Sequence, residues 1–198
     1  MNQSHFFAYI SKMRWIQRWG MKRNAIPENV MEHSYEVATI AHALALIRQQ
    51  VFGGEINPAD VAVAALFHDV SEVLTGDLPS PIKYHNAKIR DAYKEVEYSA
   101  EREILSTLPD ELKTLYEPYL LSDKLDDDVH QIIKAADLIA AYIKCKAELN
   151  AGNLEFAKAA RTMEERLNNI HLPEADWFRE KFLPSFDLTL DELIKAEV

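Results

Sequence analysis

Polar groups capable of chemistry sit in this chain where a core helix would not be expected to carry them. The stretch AALFHDVSEVLTGDLP, residues 64–79, sets His68 and Asp69 side by side, with Glu72 just beyond. Read as a helix, it stacks His68 over Glu72 at four residues and makes Asp69 a neighbour of Glu72 at three. Burying an ionised carboxylate without a partner is costly, and a shifted pKa, an ion pair or a metal is the usual resolution. Asp137 raises the same question in IIKAADLIAAYI, where the one other charge, Lys134, can extend to water. His33, in NVMEHSYEVA, opens a long alanine-rich segment.

Singly, each of these residues has a plain structural use as a hydrogen-bonded pair, a buried acceptor, or a core or capping histidine. Together, His33, His68, Asp69 and Asp137 form the pattern H…HD…D, every member on a predicted helix. Two imidazoles and two carboxylates suit a divalent first-row metal, and such a set leaves positions open for water and substrate. Other metal chemistries lack their motifs. No Glu-x-x-His pair of a di-iron bundle occurs, nor the His-Glu-x-x-His of a zinc protease. His5, His42, His85, His130 and His171 show no ligand-like grouping, and Cys145 reads as a small packing residue. The competing reading from outside the enzymes is a helical interaction protein whose His and Asp residues are a non-catalytic relic.

The elements that must position these groups are helices. Apolar spacing predicts a first helix over 4–14 with Ser4 as cap, then the connector WIQRWGMKRNAIPEN, then a helix over 29–50. Asn57 as cap, Pro58 in the first turn and Gly76 as terminator predict a helix running from 58 to about 74. LPSPIKYHN is too rich in proline for a regular element. Further helices are expected over 86–107, 109–121, 129–149 and 153–169, with short pieces at 173–182 and 188–195. No repeat or hairpin pattern appears. The fold class is all-α, a single-domain helical bundle spanning 1–198.

Composition agrees. With 48% hydrophobic residues and only 5 glycines in 198, the chain can bury a core and favours helices over tight-turned sheets. No run is long enough to span a membrane, no signal-peptide h-region is present, and one cysteine allows no internal disulfide, so an intracellular, cytoplasmic protein is expected. A net charge of −10 argues against nucleic-acid polymers and anionic lipid as partners. Against that background Lys12, Arg14, Arg18, Lys22 and Arg23 all precede the first acidic residue, Glu28. They are either a solvated face or, in part, an offset for an anionic ligand.

The motifs SHFFAYISKMRWIQRW, NVMEHSYEVA, HDVSEVLTGDLPSPIKY, KAADLIAAYIKC and FLPSF resemble the HD-domain metal-dependent phosphohydrolases, specifically the YfbR-type 5′-deoxynucleotidases, along nearly the whole chain. The resemblance implies an HD-type bundle that hydrolyses deoxyribonucleoside 5′-monophosphates to deoxyribonucleoside and phosphate. It implies His33, His68, Asp69 and Asp137 as ligands of one divalent cation, cobalt, manganese or similar. Arg18 matches the arginine that orients the phosphate and Trp19 a neighbouring substrate contact. Glu72 matches the carboxylate that handles the attacking water. Asp69 and Asp137 also face the substrate in this reading, and Asp77, Leu78, Pro79 and Ser80 line its sugar and base side. Ser80 replaces a frequent threonine and keeps the hydroxyl. A homodimer is implied as well. Other HD-type substrates, namely triphosphates, cyclic nucleotides and guanosine alarmones, are the alternatives within the enzymes.

Overall fold

The computed structural model describes residues 3–195. In chain order the helices are α1 (Phe6–Lys12), α2 (Val30–Phe52), α3 (Pro58–Leu66), α4 (Glu72–Thr75), α5 (Ser80–Lys83), α6 (Ala87–Ser106), α7 (Asp110–Leu120), α8 (Asp127–Asn150), α9 (Ala157–Asn168), α10 (Pro173–Lys181) and α11 (Leu190–Lys195). Among the described residues there is no β-sheet, only one antiparallel bridge, between Gln17 and Asn29. No described helix is long and apolar enough to cross a membrane.

Helix α2 starts where local chemistry says it should. Asn29 Oδ1 accepts from the Glu32 N–H at 3.0 Å, and the Glu32 carboxylate accepts in return from the Asn29 N–H at 3.2 Å. This reciprocal capping satisfies two N–H groups that the helix leaves free. Gly53 ends the helix with φ 70°, a left-handed conformation that costs glycine little. Asn57 caps α3 through the Ala59 N–H, with Pro58 in the first turn, as the sequence implies.

The core forms between α2 and α8, with α3 laid on α2. Val37, Ala41, Leu44, Ala136, Ile139 and Ala140 are fully buried there, and the alanines let the helix backbones approach closely. A second cluster, built around Phe6, Val30, Val70 and Ile104, fastens α1 and α6 to the turn after α3. A third joins Cys145, Phe156 and Ala160 beneath Trp19. Because α2 carries His33 and α8 carries Asp137, the main core contact also sets the distance between two of the expected ligands.

Two expectations need correction. The helix predicted from 58 to 74 ends at Leu66, and Phe67–Ser71 form a tightened turn before α4. The bonds Phe67 N–H to Ala64 O, Val70 N–H to Phe67 O and Glu72 N–H to Asp69 O span three residues rather than four. One cause is local: the His68 ring takes the Ala65 carbonyl at 2.8 Å, where the next helical N–H would bond. His68 and Asp69 therefore sit in a turn, not on a regular helix. The second correction concerns LPSPIKYHN, whose Ser80–Lys83 segment closes one helical turn. Pro81 falls in its first turn, where the missing N–H costs no helical bond.

Candidate active site

The connector between α1 and α2 is a closed loop. The Arg18 N–H donates to Glu28 O at 3.0 Å and the Val30 N–H to Ile16 O at 2.9 Å, so the two ends of the loop run side by side. Its far end is held by Glu148 of α8, fully buried, which accepts from the Ala25 N–H at 2.9 Å, the Ile26 N–H at 3.0 Å, the Asn153 side chain at 2.7 Å and Lys144. This anchoring presents Arg18 and Trp19 to the cluster formed by α2, the turn after α3, and α8.

One donor atom each from His33, His68 and Asp69 lies within 4.8 Å of the others. Asp137 joins from α8, its Oδ1 2.9 Å from His33 Nε2. Three of the four residues of the H…HD…D pattern thus share one cluster, and Asp137 adjoins it through His33, outside the group whose donor atoms all lie within 4.8 Å of one another. The tautomer of His68 follows from its surroundings. A carbonyl oxygen only accepts, so Nδ1 bears the proton toward Ala65 O, leaving the Nε2 lone pair free. That Nε2 is buried without a hydrogen-bond partner and lies 3.2 Å from Asp69 Oδ2. An imidazole fixed by a backbone carbonyl, with its other nitrogen turned toward a carboxylate, is what a metal-binding histidine requires. The residues present fit a divalent cation.

Arg18 lies over this cluster. Its Nη1 is 3.1 Å from Asp69 Oδ2 and its Nε 3.1 Å from Glu28 Oε2. Burial alone would lower its pKa, but Asp69, Asp137 and Glu28 outweigh that and hold it protonated. Two of its five N–H donors are engaged by these contacts, and three remain for an anionic ligand. Of the five cationic residues before Glu28, Arg18 alone turns into the cluster. Lys22 bonds the Glu155 carbonyl, and Lys12, Arg14 and Arg23 are exposed.

Trp19 has φ 59°, the left-handed region, which is unfavourable for a bulky side chain. Its backbone N–H donates to Asp77 Oδ2 at 3.2 Å, its indole N–H to Glu28 Oε2 at 3.0 Å, and its ring meets Phe156 edge-on. Trp19 thus packs on the third core cluster and is tied by its two N–H groups to Asp77 and Glu28. Asp77 is thereby tied to the connector, while Leu78 and Pro79 are half-buried and Ser80 is exposed at the start of α5.

Glu72 is buried at the start of α4, and its Oε2 has no hydrogen-bond partner. Burial, then the Asp69 and Asp77 charges, push its carboxyl up to about 9. Asp69 is driven the opposite way: burial opposes ionisation, but His68, Arg18 and His33 pull its pKa far down. Two carboxyls three residues apart with opposed proton affinities are the arrangement acid–base chemistry needs.

The sequence reading missed Glu28. It is nearly buried, and its carboxyl is held below the usual range, the cost of burial being outweighed by His33, Arg18 and Trp19. The available signal was its place as the first acidic residue after five cations, directly ahead of the Asn29 cap.

Residues 5–186 match the family model described as 5′-deoxynucleotidase YfbR-like. The chain belongs to the YfbR-like 5′-deoxynucleotidase family. A 5′-deoxynucleotidase of Vibrio parahaemolyticus is 50% identical over 193 residues, covering 98% of this chain and 100% of the relative. One from Cronobacter sakazakii is 46% identical, with 98% and 97% covered. Among solved structures, an HD-domain phosphohydrolase from Listeria innocua superposes with a TM-score of 0.79 at 25% identity, covering 92% of this chain and 88% of its own. A cyanophage S-2L HD phosphohydrolase, solved with dA and one catalytic Zn2+, shares the fold with a TM-score of 0.63 at 18% identity, with 96% and 99% covered. The all-α, HD-type reading of this YfbR-like chain is therefore correct.

Proposed function

We infer that the protein is a metal-dependent 5′-deoxynucleotidase, hydrolysing deoxyribonucleoside 5′-monophosphates to deoxyribonucleoside and inorganic phosphate. The observation that carries this reading is Arg18 poised 3.1 Å from Asp69, over the His33, His68 and Asp69 donor cluster. A non-catalytic metal site has no use for a desolvated guanidinium with donors to spare. His33, His68, Asp69 and Asp137 would hold one divalent cation; cobalt or manganese is proposed, since the mixed nitrogen and oxygen set admits either.

A bound divalent cation supplies Lewis acidity and brings the pKa of water toward neutrality. The chain's own groups do the rest. Arg18 turns its remaining N–H groups to the phosphoryl oxygens and offsets their charge as the transition state forms. Glu72 handles the attacking water at Oε2, the oxygen left without a partner. The charge of a cation held beside it would bring its raised carboxyl down, so that it can take the proton. Asp69 and Asp137 border the phosphate. Trp19, Asp77, Leu78, Pro79 and Ser80 line the sugar and base side, and the Trp19–Asp77 bond gives that wall a fixed shape.

The chain acts as one domain over 1–198, and we propose that it works in the cytoplasm as a homodimer. Exposed Phe182, Phe186, Leu188, Leu190, Leu193 and Ile194 at the C-terminal end support self-association. The test of function is a matrix of metals against nucleotides read by phosphate release, with deoxy and ribo monophosphates, triphosphates and cyclic nucleotides under each ion. Release from deoxyribonucleoside monophosphates, dependent on added metal, is the expected result. Release from triphosphates or cyclic nucleotides alone would overturn it.

A further inference from the structure

Glu28 faces two parts of the site at once. Its Oε2 accepts from Arg18 Nε at 3.1 Å and from the Trp19 indole N–H at 3.0 Å. Its Oε1 lies 3.7 Å from His33 Nδ1. Its backbone carbonyl also accepts from the Arg18 N–H at 3.0 Å, so one residue grips Arg18 at both main chain and side chain. His33 is fully buried, and its Nδ1 has no hydrogen-bond partner within normal range. Among the described residues Glu28 is the one carboxylate within 4 Å of that nitrogen, whereas Nε2 faces Asp137 at 2.9 Å and Asp69 at 3.8 Å.

The two ring nitrogens of His33 therefore have separate surroundings. Here Nε2 donates to Asp137 Oδ1 at 2.9 Å, since a carboxylate oxygen only accepts. With a cation held between Nε2, Asp69 and Asp137, Nε2 would instead offer its lone pair, and Nδ1 would carry the proton, on the side that faces Glu28. His68 solves the same problem with the Ala65 carbonyl. His33 sits near the start of α2, and no contact of that kind is made by its own helix. A neutral acceptor would serve only the imidazole. A carboxylate serves the guanidinium as well, and its two oxygens divide the work between the metal arm and the phosphate arm.

We propose that Glu28 is the positioning residue that couples the two arms: it fixes His33 as the Nδ1–H tautomer and aims the Arg18 guanidinium over the cluster. This rests on the metal-dependent phosphohydrolase reading given above. In this role Glu28 acts through the two groups it orients rather than as a ligand itself.

The test compares the full-length wild type with Glu28→Gln, an isosteric change that loses the charge and turns an N–H2 toward existing donors. Both metal-stripped proteins are titrated calorimetrically with Co2+, and the d–d absorption of the Co2+ forms is recorded. Then kcat and KM for dAMP are measured at saturating Co2+. Expected is a loss of Co2+ affinity on the order of 10- to 100-fold, an altered d–d spectrum, and a kcat still at least about tenfold down when the metal is saturating. A variant with a lowered melting temperature but wild-type Co2+ affinity, spectrum and kcat would overturn the proposal. If the variant does not fold, 15N imidazole spectra of wild type loaded with diamagnetic Zn2+ decide. Protonation of His33 at Nδ1 supports the assignment, and protonation at Nε2 overturns it. Wild type that neither binds Co2+ nor releases phosphate would sink the functional reading along with this one, whereas a wild-type-like variant sinks only this one.

Discussion

Glu148→Gln should destabilise the whole protein, although the residue lies outside the site. Its carboxylate is fully buried and receives the Ala25 and Ile26 N–H groups at 2.9 and 3.0 Å, the Asn153 amide at 2.7 Å, and the Lys144 ammonium, which is itself only 5% exposed. An amide keeps one acceptor oxygen and turns two N–H groups toward existing donors, and the buried ammonium loses its counter-charge. Removing one partner of a buried ion pair costs about 3–5 kcal/mol. Taking the lower end, since one acceptor survives, a loss of about 3 kcal/mol is expected, or about 6–12 °C in Tm for a chain of this size. Urea denaturation followed by circular dichroism measures it, with an unchanged m-value showing that stability alone has moved.

The pH dependence of that loss has a definite sign. Burial raises the Glu148 pKa, but the bonds from Lys144, Asn153, Ala25 and Ile26 prevail and bring it down to about 2. A carboxyl depressed on folding contributes fully above its unfolded pKa and ceases to contribute as pH falls through the folded one. The gap between wild type and variant should thus be full at neutral pH and shrink on acidification from the ordinary carboxylate range toward pH 2. A loss below about 1 kcal/mol at pH 7, or a gap that widens on acidification, would refute the anchoring of the connector by this carboxylate.

Arg18→Ala should keep its metal, measured by elemental analysis, while phosphate release falls on the order of 10²- to 10³-fold; loss of the metal would show that Arg18 serves the ligands instead. Cys145, buried beside Phe156 and pushed up to about 12 by burial, should react with a thiol reagent only at the rate of unfolding. Rapid labelling of the native protein would contradict its packing role.

Much of the helix order was legible because it rests on local chemistry. The Asn57–Pro58 start and the apolar faces of α2 and α8 are written in side chains close together along the chain. The break after Leu66 was not, since it depends on the His68 ring competing for the Ala65 carbonyl, which no apolar spacing reports. The gathering of His33, His68 and Asp69 could be read from residue types alone, because histidines and carboxylates in such apolar segments are unusual. The roles of Arg18 and Trp19 came from resemblance, as a connector has no period from which orientation follows. Glu28 escaped for the same reason: its partners lie across a loop, on the site it supports and on a histidine five residues ahead.

The most direct test is a crystal of the full chain grown with excess Mn2+, measured at an anomalous wavelength. One strong peak is expected within bonding distance of His33, His68, Asp69 and Asp137 together. A peak elsewhere, or one that leaves any two of those four out of reach, would contradict the single-cation site on which the phosphohydrolase reading depends.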